Sequence, residues 1–276
     1  MTKRFEDTTF SDDYIFCRVL TSYPDICRHL IEMILGRQVG NIVGADEQKR
    51  IQITGGSKGV RLDVYFSDDE SHIYDIELQN RHYEDIPQRT RYYQDLIDQD
   101  DLIPGDDYDQ LKESYVIFIC NSFDQFKQGR HLYHFEYLCT EDPAIHLGDG
   151  THRIFLCSEG TMDDVSPETI EFLRYLKGGS SDYPFVKSID TAVAEVHENE
   201  TWRREYEMIA IHNRDKIKEG IEIGQKAGIE IGHNEARTDL ILTMLKNGMS
   251  PEDISKNCEL PLSDVLNIQY KETTTV

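Results

Sequence analysis

Two carboxylates and an amide fall on one side of what reads as a β-hairpin: Asp63, Glu77 and Gln79, within VRLDVYF and IYDIELQN. Both segments alternate with the period of two expected of half-buried strands. Leu62, Val64 and Phe66 share one face and leave Asp63 on the other. Tyr74, Ile76 and Leu78 share a face and leave Asp75, Glu77 and Gln79 opposite. A hairpin symmetric about Glu70, within the polar run SDDES, sets Asp63 directly across from Glu77. Like charges facing each other across a strand pair are destabilising by themselves. A hard divalent cation held between them turns that cost into a binding site. The chemistry supported is metal-assisted phosphodiester hydrolysis, in which Mg²⁺ stabilises the charge that builds at phosphorus and activates a water. Asp63 and Glu77 are the candidate ligands, and the Leu78 carbonyl between Glu77 and Gln79 can join them. Gln79 can orient a water or touch phosphate but carries no charge. Asp75 shares the parity of Glu77 and is a further acidic candidate.

The elements that position this hairpin can be read on either side of it. SDDYIFCRVLTSYPDICRHLIEMIL, residues 11–35, predicts two helices divided at Pro24, over Asp13–Thr21 and Asp25–Leu35. Ser11 or Asp12 is the expected N-cap and Gly36 the stop. Residues 42–54 read as extended, and Gly55, Gly56 and Gly59 as a loop into the hairpin. A helix over 82–99 follows, with Pro87 near its first turn. YVIFIC, 115–120, is a continuous apolar run of the kind found in buried central strands, and HFEYLC (134–139) and RIFLC (153–157) add two more. Helices are expected over 167–177, opened by Ser166 and Pro167, and over 185–199. The order predicts a mixed α/β sheet with helices packed on its faces.

From Trp202 onward the pattern is helical. GIEIGQKAGIEIG places Gly220, Gly224, Gly228 and Gly232 four residues apart, a slowly winding stripe on a helix. Each glycine costs about 1 kcal/mol relative to alanine there, so close approach of a second helix, in a homo-oligomer, is the expected reason. A flexible tether is the plainer alternative. Residues 237–268 read as three short helical pieces: a stop at Asn247-Gly248, a helix capped by Ser250 with Asp253 in the capping-box position, and another opened by Pro261 and Ser263. Helices of this order suit either DNA contact or a protein–protein module, and with Lys246 and Lys256 among few basic residues the latter is favoured. The expected organisation is a domain over 1–200, a glycine-repeat helix over 201–236 and a small helical module over 237–276.

Charge narrows the function further. The net charge is −23, of which residues 201–276 contribute −3 from 10 Lys and Arg against 13 Asp and Glu. The remaining −20 argues against a broad basic duplex-binding surface, and leaves room for a few cations in one groove. Six cysteines (Cys17, Cys27, Cys120, Cys139, Cys157, Cys258) have no metal-ligand spacing and read as reduced thiols. With no apolar run of membrane-spanning length and no export signal in MTKRFEDTTFSDDY, a cytoplasmic, membrane-free protein is expected. His131, His134 and His152 are scattered without ligand spacing and are assigned no role. A two-carboxylate glycosidase would want an aromatic-lined sugar cleft, and the chain has one Trp. Arg89 and Tyr93, one helical turn apart, could face a cleft and touch phosphate, as could Arg81 and His82 just after Gln79.

Asp63 followed by Glu77-Leu78-Gln79 resembles the PD-(D/E)xK nuclease superfamily, with Gln in the usual place of Lys. SDDYIFCRVL is similar to that family's opening helix, RLDVYF and YDIELQN to its metal-binding strands, QRTRYYQDLI to the arginine–tyrosine helix and KESYVIFIC to its central strand. The GIEIG repeats and LKNGMSPEDIS are similar to the C-terminal half of the recombination-promoting nuclease / putative transposase family. The resemblance implies a restriction-endonuclease-like mixed central sheet flanked by helices, with an all-helical C-terminal extension. It implies Mg²⁺-dependent endonucleolytic cleavage of DNA, with Mn²⁺ as a substitute, associated with recombination or mobile elements. Asp63 and Glu77 would hold the metal, and Gln79 would stand in the lysine's place. The helix before the hairpin often adds an acidic residue to such sites, here Asp13 or Glu32. The alternative is a catalytically weak nuclease-fold protein that serves as an oligomeric interaction module.

Overall fold

The computed structural model describes residues 3–47, 49–51 and 60–274, and the loop expected at Gly55, Gly56 and Gly59 lies outside those residues. The chain divides into two compact units, Met1–Tyr206 and Glu207–Val276. The first opens with α1 (Asp13–Ser22) and α2 (Pro24–Leu35), divided where Pro24 takes the first turn of the second helix. Gly36 closes α2 with a φ of 65°, the left-handed conformation that suits glycine. Strands β1 (Ile42–Glu47), β2 (Arg50–Ile51), β3 (Val60–Arg61), β4 (Val64–Asp68) and β5 (Ile73–Gln79) come next. Then follow α3 (Ile86–Asp101), β6 (Ser114–Cys120), β7 (Leu132–Phe135), β8 (Thr151–Cys157), α4 (Pro167–Leu176) and α5 (Pro184–Glu198). The Ser166 side chain caps α4 by accepting from the Thr169 N–H.

Six strands form one mixed sheet in the order β1-β4-β5-β6-β8-β7. The three central strands, β5, β6 and β8, run parallel, and antiparallel partners close both sides. Helices α1, α2, α4 and α5 share a core with one face of the sheet, reached by Val64, Phe66, Tyr74, Ile76 and Leu78. The other face packs on α3 through Ile73, Val116, Phe118 and Phe155 against Tyr93, Leu96 and Ile97. The α/β fold expected from the order of elements is therefore present. All seven residues of β6 are buried, as its unbroken apolar run requires.

The β4–β5 hairpin is centred on Glu70, with Tyr65 opposite Asp75 and Phe66 opposite Tyr74. Asp68 holds that centre. Its Oδ1 accepts from the backbone N–H of Glu70 and His72 at 3.0 and 2.8 Å, and its Oδ2 accepts from the Tyr74 hydroxyl at 3.0 Å. Two expectations need correction. Leu62 does not share a face with Val64 and Phe66; it joins Ile51 and Ile86 on the α3 side. The chain bends at Asp63, after β3 has paired with β2 in a separate two-stranded ribbon, so the alternation is broken there. The strand expected at 134–139 ends at Phe135, because beyond Tyr133 the segment up to Leu138 is exposed and no core face holds it.

The second unit comprises the larger part of α6 (Glu200–Lys246), with α7 (Pro251–Asn257) and α8 (Leu262–Thr274). Ile241, Ile254 and Val265 form its small core. Ser250 caps α7 from the N-cap position, and Asp253 accepts from its hydroxyl at 2.7 Å rather than from its backbone. A Cβ placed at Gly220, Gly224, Gly228 or Gly232 would meet nothing within 4 Å, and the isoleucines beside them are more than half exposed. None of the six cysteines is in a disulfide, and four of them are buried. Among the described residues, no helix is long and apolar enough to cross a membrane.

Candidate active site

Asp63 and Glu77 meet where β4 begins and β5 nears its end, as the hairpin register requires. The Asp63 N–H donates to Glu77 Oε1 at 2.9 Å, and the Leu78 N–H donates to Asp63 Oδ2 at 3.3 Å. Each carboxylate is thus held by the backbone beside the other. They open onto a pocket of about 380 Å³ that Leu78 and Gln79 also line. Asp13, the first residue of α1, forms part of the same wall. Asn80 fastens that wall together: its Nδ2 donates to the Ser11 carbonyl at 2.9 Å, and its Oδ1 accepts from Asn121 at 2.9 Å.

Of the two acidic residues suggested by the preceding helices, only Asp13 reaches the pocket. Glu32 instead accepts from the Val39 N–H at 3.1 Å, bracing the turn after α2. Asp75 is not a pocket residue either. It is 0 % exposed, and among the described residues neither of its carboxyl oxygens has a hydrogen-bond partner. Arg81, Arg89 and Tyr93 all line the pocket, whereas exposed His82 packs edge-on against Phe123. Arg89 bridges the site from α3. Its guanidinium donates to Gln79 Oε1 at 3.2 Å and to the Tyr93 hydroxyl at 2.9 Å, and lies 3.7 Å from Glu77 Oε2. Arg61 also lines the pocket, unanticipated from sequence although it shares the parity of Asp63 two residues on. Asn80 and Tyr83 complete the residues missed.

The electrostatics are those of crowded, desolvated carboxylates. Burial, then the charge of Asp13, pushes Asp63 up to about 6. Burial, then the charge of Asp63, pushes Glu77 up to about 8. Burial also lifts Asp13, and lifts Asp75 well above the ordinary range with help from Glu77 and Asp63. Three carboxyls, each shifted by burial towards the protonated form, give one pocket a set of hard oxygen donors. It fits a divalent cation such as Mg²⁺. Asp63 and Glu77 are the residues that would hold it. The three carboxylates are not drawn together as one compact triad, however. Among the described residues, the groups with all ligand atoms within 4.8 Å are His134–Glu136–His152 and Asp68–Glu70–His72.

A stability signature follows. The folded pKa values of Asp63 and Glu77 lie above the unfolded values near 4, so the native state binds more protons between about pH 4 and pH 8. Without metal, stability is greatest at the acid end of this window and is lost as pH rises through it. The Asp63 displacement alone corresponds to about 3 kcal/mol. Thermal melts in EDTA should show Tm falling across the window and Mg²⁺ or Mn²⁺ restoring it most at the alkaline end. Asp75→Leu, the apolar isostere, should raise Tm at pH 8 by several degrees, about 2–4 °C per kcal/mol for a unit of this size. A metal-insensitive, pH-flat Tm would contradict the cation site.

A family described as PD-(D/E)XK nuclease family transposase matches residues 11–156. That span runs from α1 into β8, takes in every residue of the pocket and ends before the glycine repeat. No curated protein and no solved structure matches the chain.

Proposed function

The chain belongs to the PD-(D/E)XK nuclease family transposases, and on that premise we propose that it is a Mg²⁺-dependent DNA endonuclease acting in recombination or on mobile elements. Its six-stranded mixed sheet between helices is consistent with a restriction-endonuclease-like fold. The observation that carries the proposal is the cross-strand pair: Glu77 anchored to the Asp63 N–H and Asp63 to the Leu78 N–H, at a pocket that also gathers Arg61, Arg81 and Arg89. In a chain of net charge −23, that local set of cations supports a phosphate-bearing substrate.

Asp63 and Glu77, with the Leu78 carbonyl, would hold Mg²⁺ or Mn²⁺, which supplies charge stabilisation at the phosphate and activation of a water. Gln79 keeps its amide NH₂ for orienting water or a phosphate oxygen while its Oε1 accepts from Arg89. Arg89 contributes the positive charge that a glutamine cannot, positioned by Tyr93 and Glu77. Arg61 and Arg81 bind backbone phosphates on the open side of the pocket. Asp13, at the α1 wall, would add a further oxygen donor to the site. A second reading, an oligomeric interaction module of weak activity, draws support from the exposed isoleucines beside the glycine stripe of α6, which would pair two copies of the chain.

Supercoiled plasmid incubated with the protein and Mg²⁺ or Mn²⁺ tests the first reading. Conversion to the nicked circle, abolished by EDTA, is expected. Inert plasmid at every metal and pH tried, together with a stable oligomer, would favour the second.

A further inference from the structure

The histidines that show no spacing in the sequence come together at the other end of the sheet. The pairing of β7 with β8 sets His134 Nε2 3.0 Å from His152 Nδ1. Glu136 Oε1 lies 3.7 Å from the first nitrogen and 4.0 Å from the second. We propose that His134, Glu136 and His152 bind one zinc-class divalent ion, separate from the carboxylate pocket. A tetrahedral zinc with ligand bonds of about 2.0–2.1 Å sets its ligand atoms roughly 3.3 Å apart, and the three observed separations straddle that spacing. Two imidazoles and one carboxylate suit zinc, whereas an all-oxygen set suits Mg²⁺.

The groups behind the ligands strengthen the assignment. His152 Nε2 is 3.2 Å from Glu113 Oε1, and the tautomer with its proton on that nitrogen turns the Nδ1 lone pair towards His134. A carboxylate behind a ligating imidazole fixes its tautomer and raises its basicity. Glu136 is held likewise, with His146 Nδ1 2.8 Å from its Oε2, leaving Oε1 facing the two rings. In the ion-free protein one hydrogen bond between the rings serves the two nitrogens; the ion replaces it and brings in Glu136. Three protein ligands leave a fourth position for water. The other compact group, Asp68–Glu70–His72, is already engaged: Asp68 accepts from two backbone N–H groups and from Tyr74 and holds the hairpin turn.

The site lies by the Ser114–Thr151 end of β6 and β8, whereas the pocket lies by the Gln79–Cys120 end of β5 and β6. Seven residues of strand place these ends about 20 Å apart. The ion would pin the edge strand β7 to β8 just where the chain leaves the ladder at Phe135.

Tag-free, full-length protein stripped with EDTA and desalted should bind one equivalent of Zn²⁺ by calorimetry. The pocket double variant Asp63→Asn/Glu77→Gln should bind it equally well. His152 stacks on Tyr115, with ring centroids 4.5 Å apart, so the decisive substitutions are at the exposed residues. His134→Gln and Glu136→Gln should each weaken Zn²⁺ at least about 100-fold with an unchanged circular dichroism spectrum. Co²⁺ should give the visible bands of a four-coordinate N/O site and no thiolate charge-transfer band. No saturable Zn²⁺ binding, binding unchanged in His134→Gln, a thiolate band, or loss in Asp68→Asn alone would each overturn the assignment.

Discussion

Asp63→Asn and Glu77→Gln are each expected to lower plasmid nicking by about 10³-fold or more while leaving a folded and, at alkaline pH, more stable protein. The size follows from removing a ligand to an ion that supplies several kcal/mol of charge stabilisation at the phosphate. The stability gain follows from burial: Glu77 is 2 % exposed, and without metal its ionisation is opposed by burial and by Asp63. Glutamine keeps an oxygen for the Asp63 N–H and has no proton to lose. The Tm difference between Glu77→Gln and wild type in EDTA should therefore be smallest near pH 4, widen steadily through pH 6 and level off above about pH 8. Added Mg²⁺ should close it by raising wild type alone. Gel-resolved nicking rates and melts on the same preparations separate the two effects. A variant that nicks at the wild-type rate would remove Asp63 or Glu77 from the metal site. A variant that is inactive and less stable at every pH would mean its carboxylate serves the fold.

Arg89→Ala is expected to cost about 10²–10³-fold in the rate constant for cleavage, the range for losing one preorganised donor at developing charge. Arg89 contacts Gln79, Tyr93 and Glu77 together, so its loss frees Gln79 and withdraws the cation nearest Glu77. Glu77 should then be still harder to ionise. The pH dependence of nicking should accordingly shift to higher pH in Arg89→Ala, a displacement that simple loss of packing would not produce. Arg89→Lys keeps a charge without the planar fork and should recover part of the rate and most of the pH profile. Equal losses in both variants with no change in profile would make Arg89 a packing residue.

The hairpin and its two carboxylates were legible because alternation and the polar turn are local properties. The period of two set the side that Glu77 occupies, and the symmetry about Glu70 paired it with Asp63. Arg89 and Tyr93 were legible as a pair one helical turn apart. What sequence could not convey was where separate elements come to rest. Asp13 and Glu32 are equivalent as letters, and only the packing of α1 against the sheet brings Asp13 to the pocket. Leu62 obeyed the alternation on paper and broke it in space, because the bend at Asp63 lies between two different sheets. His134 and His152 are eighteen residues apart, and their meeting is a product of β7–β8 register that no ligand-spacing rule anticipates.

Asp68 touches neither the pocket nor any residue proposed to act there, yet it counts out the hairpin. Surface turns usually tolerate insertions and deletions. Here one added or lost residue between Asp68 and Tyr74 would shift the pairing by one and turn β5 over relative to β4, exchanging Glu77 for its apolar neighbours. The turn's length is therefore an odd-or-even condition on activity, written in solvent on a stretch of chain that chemistry never visits.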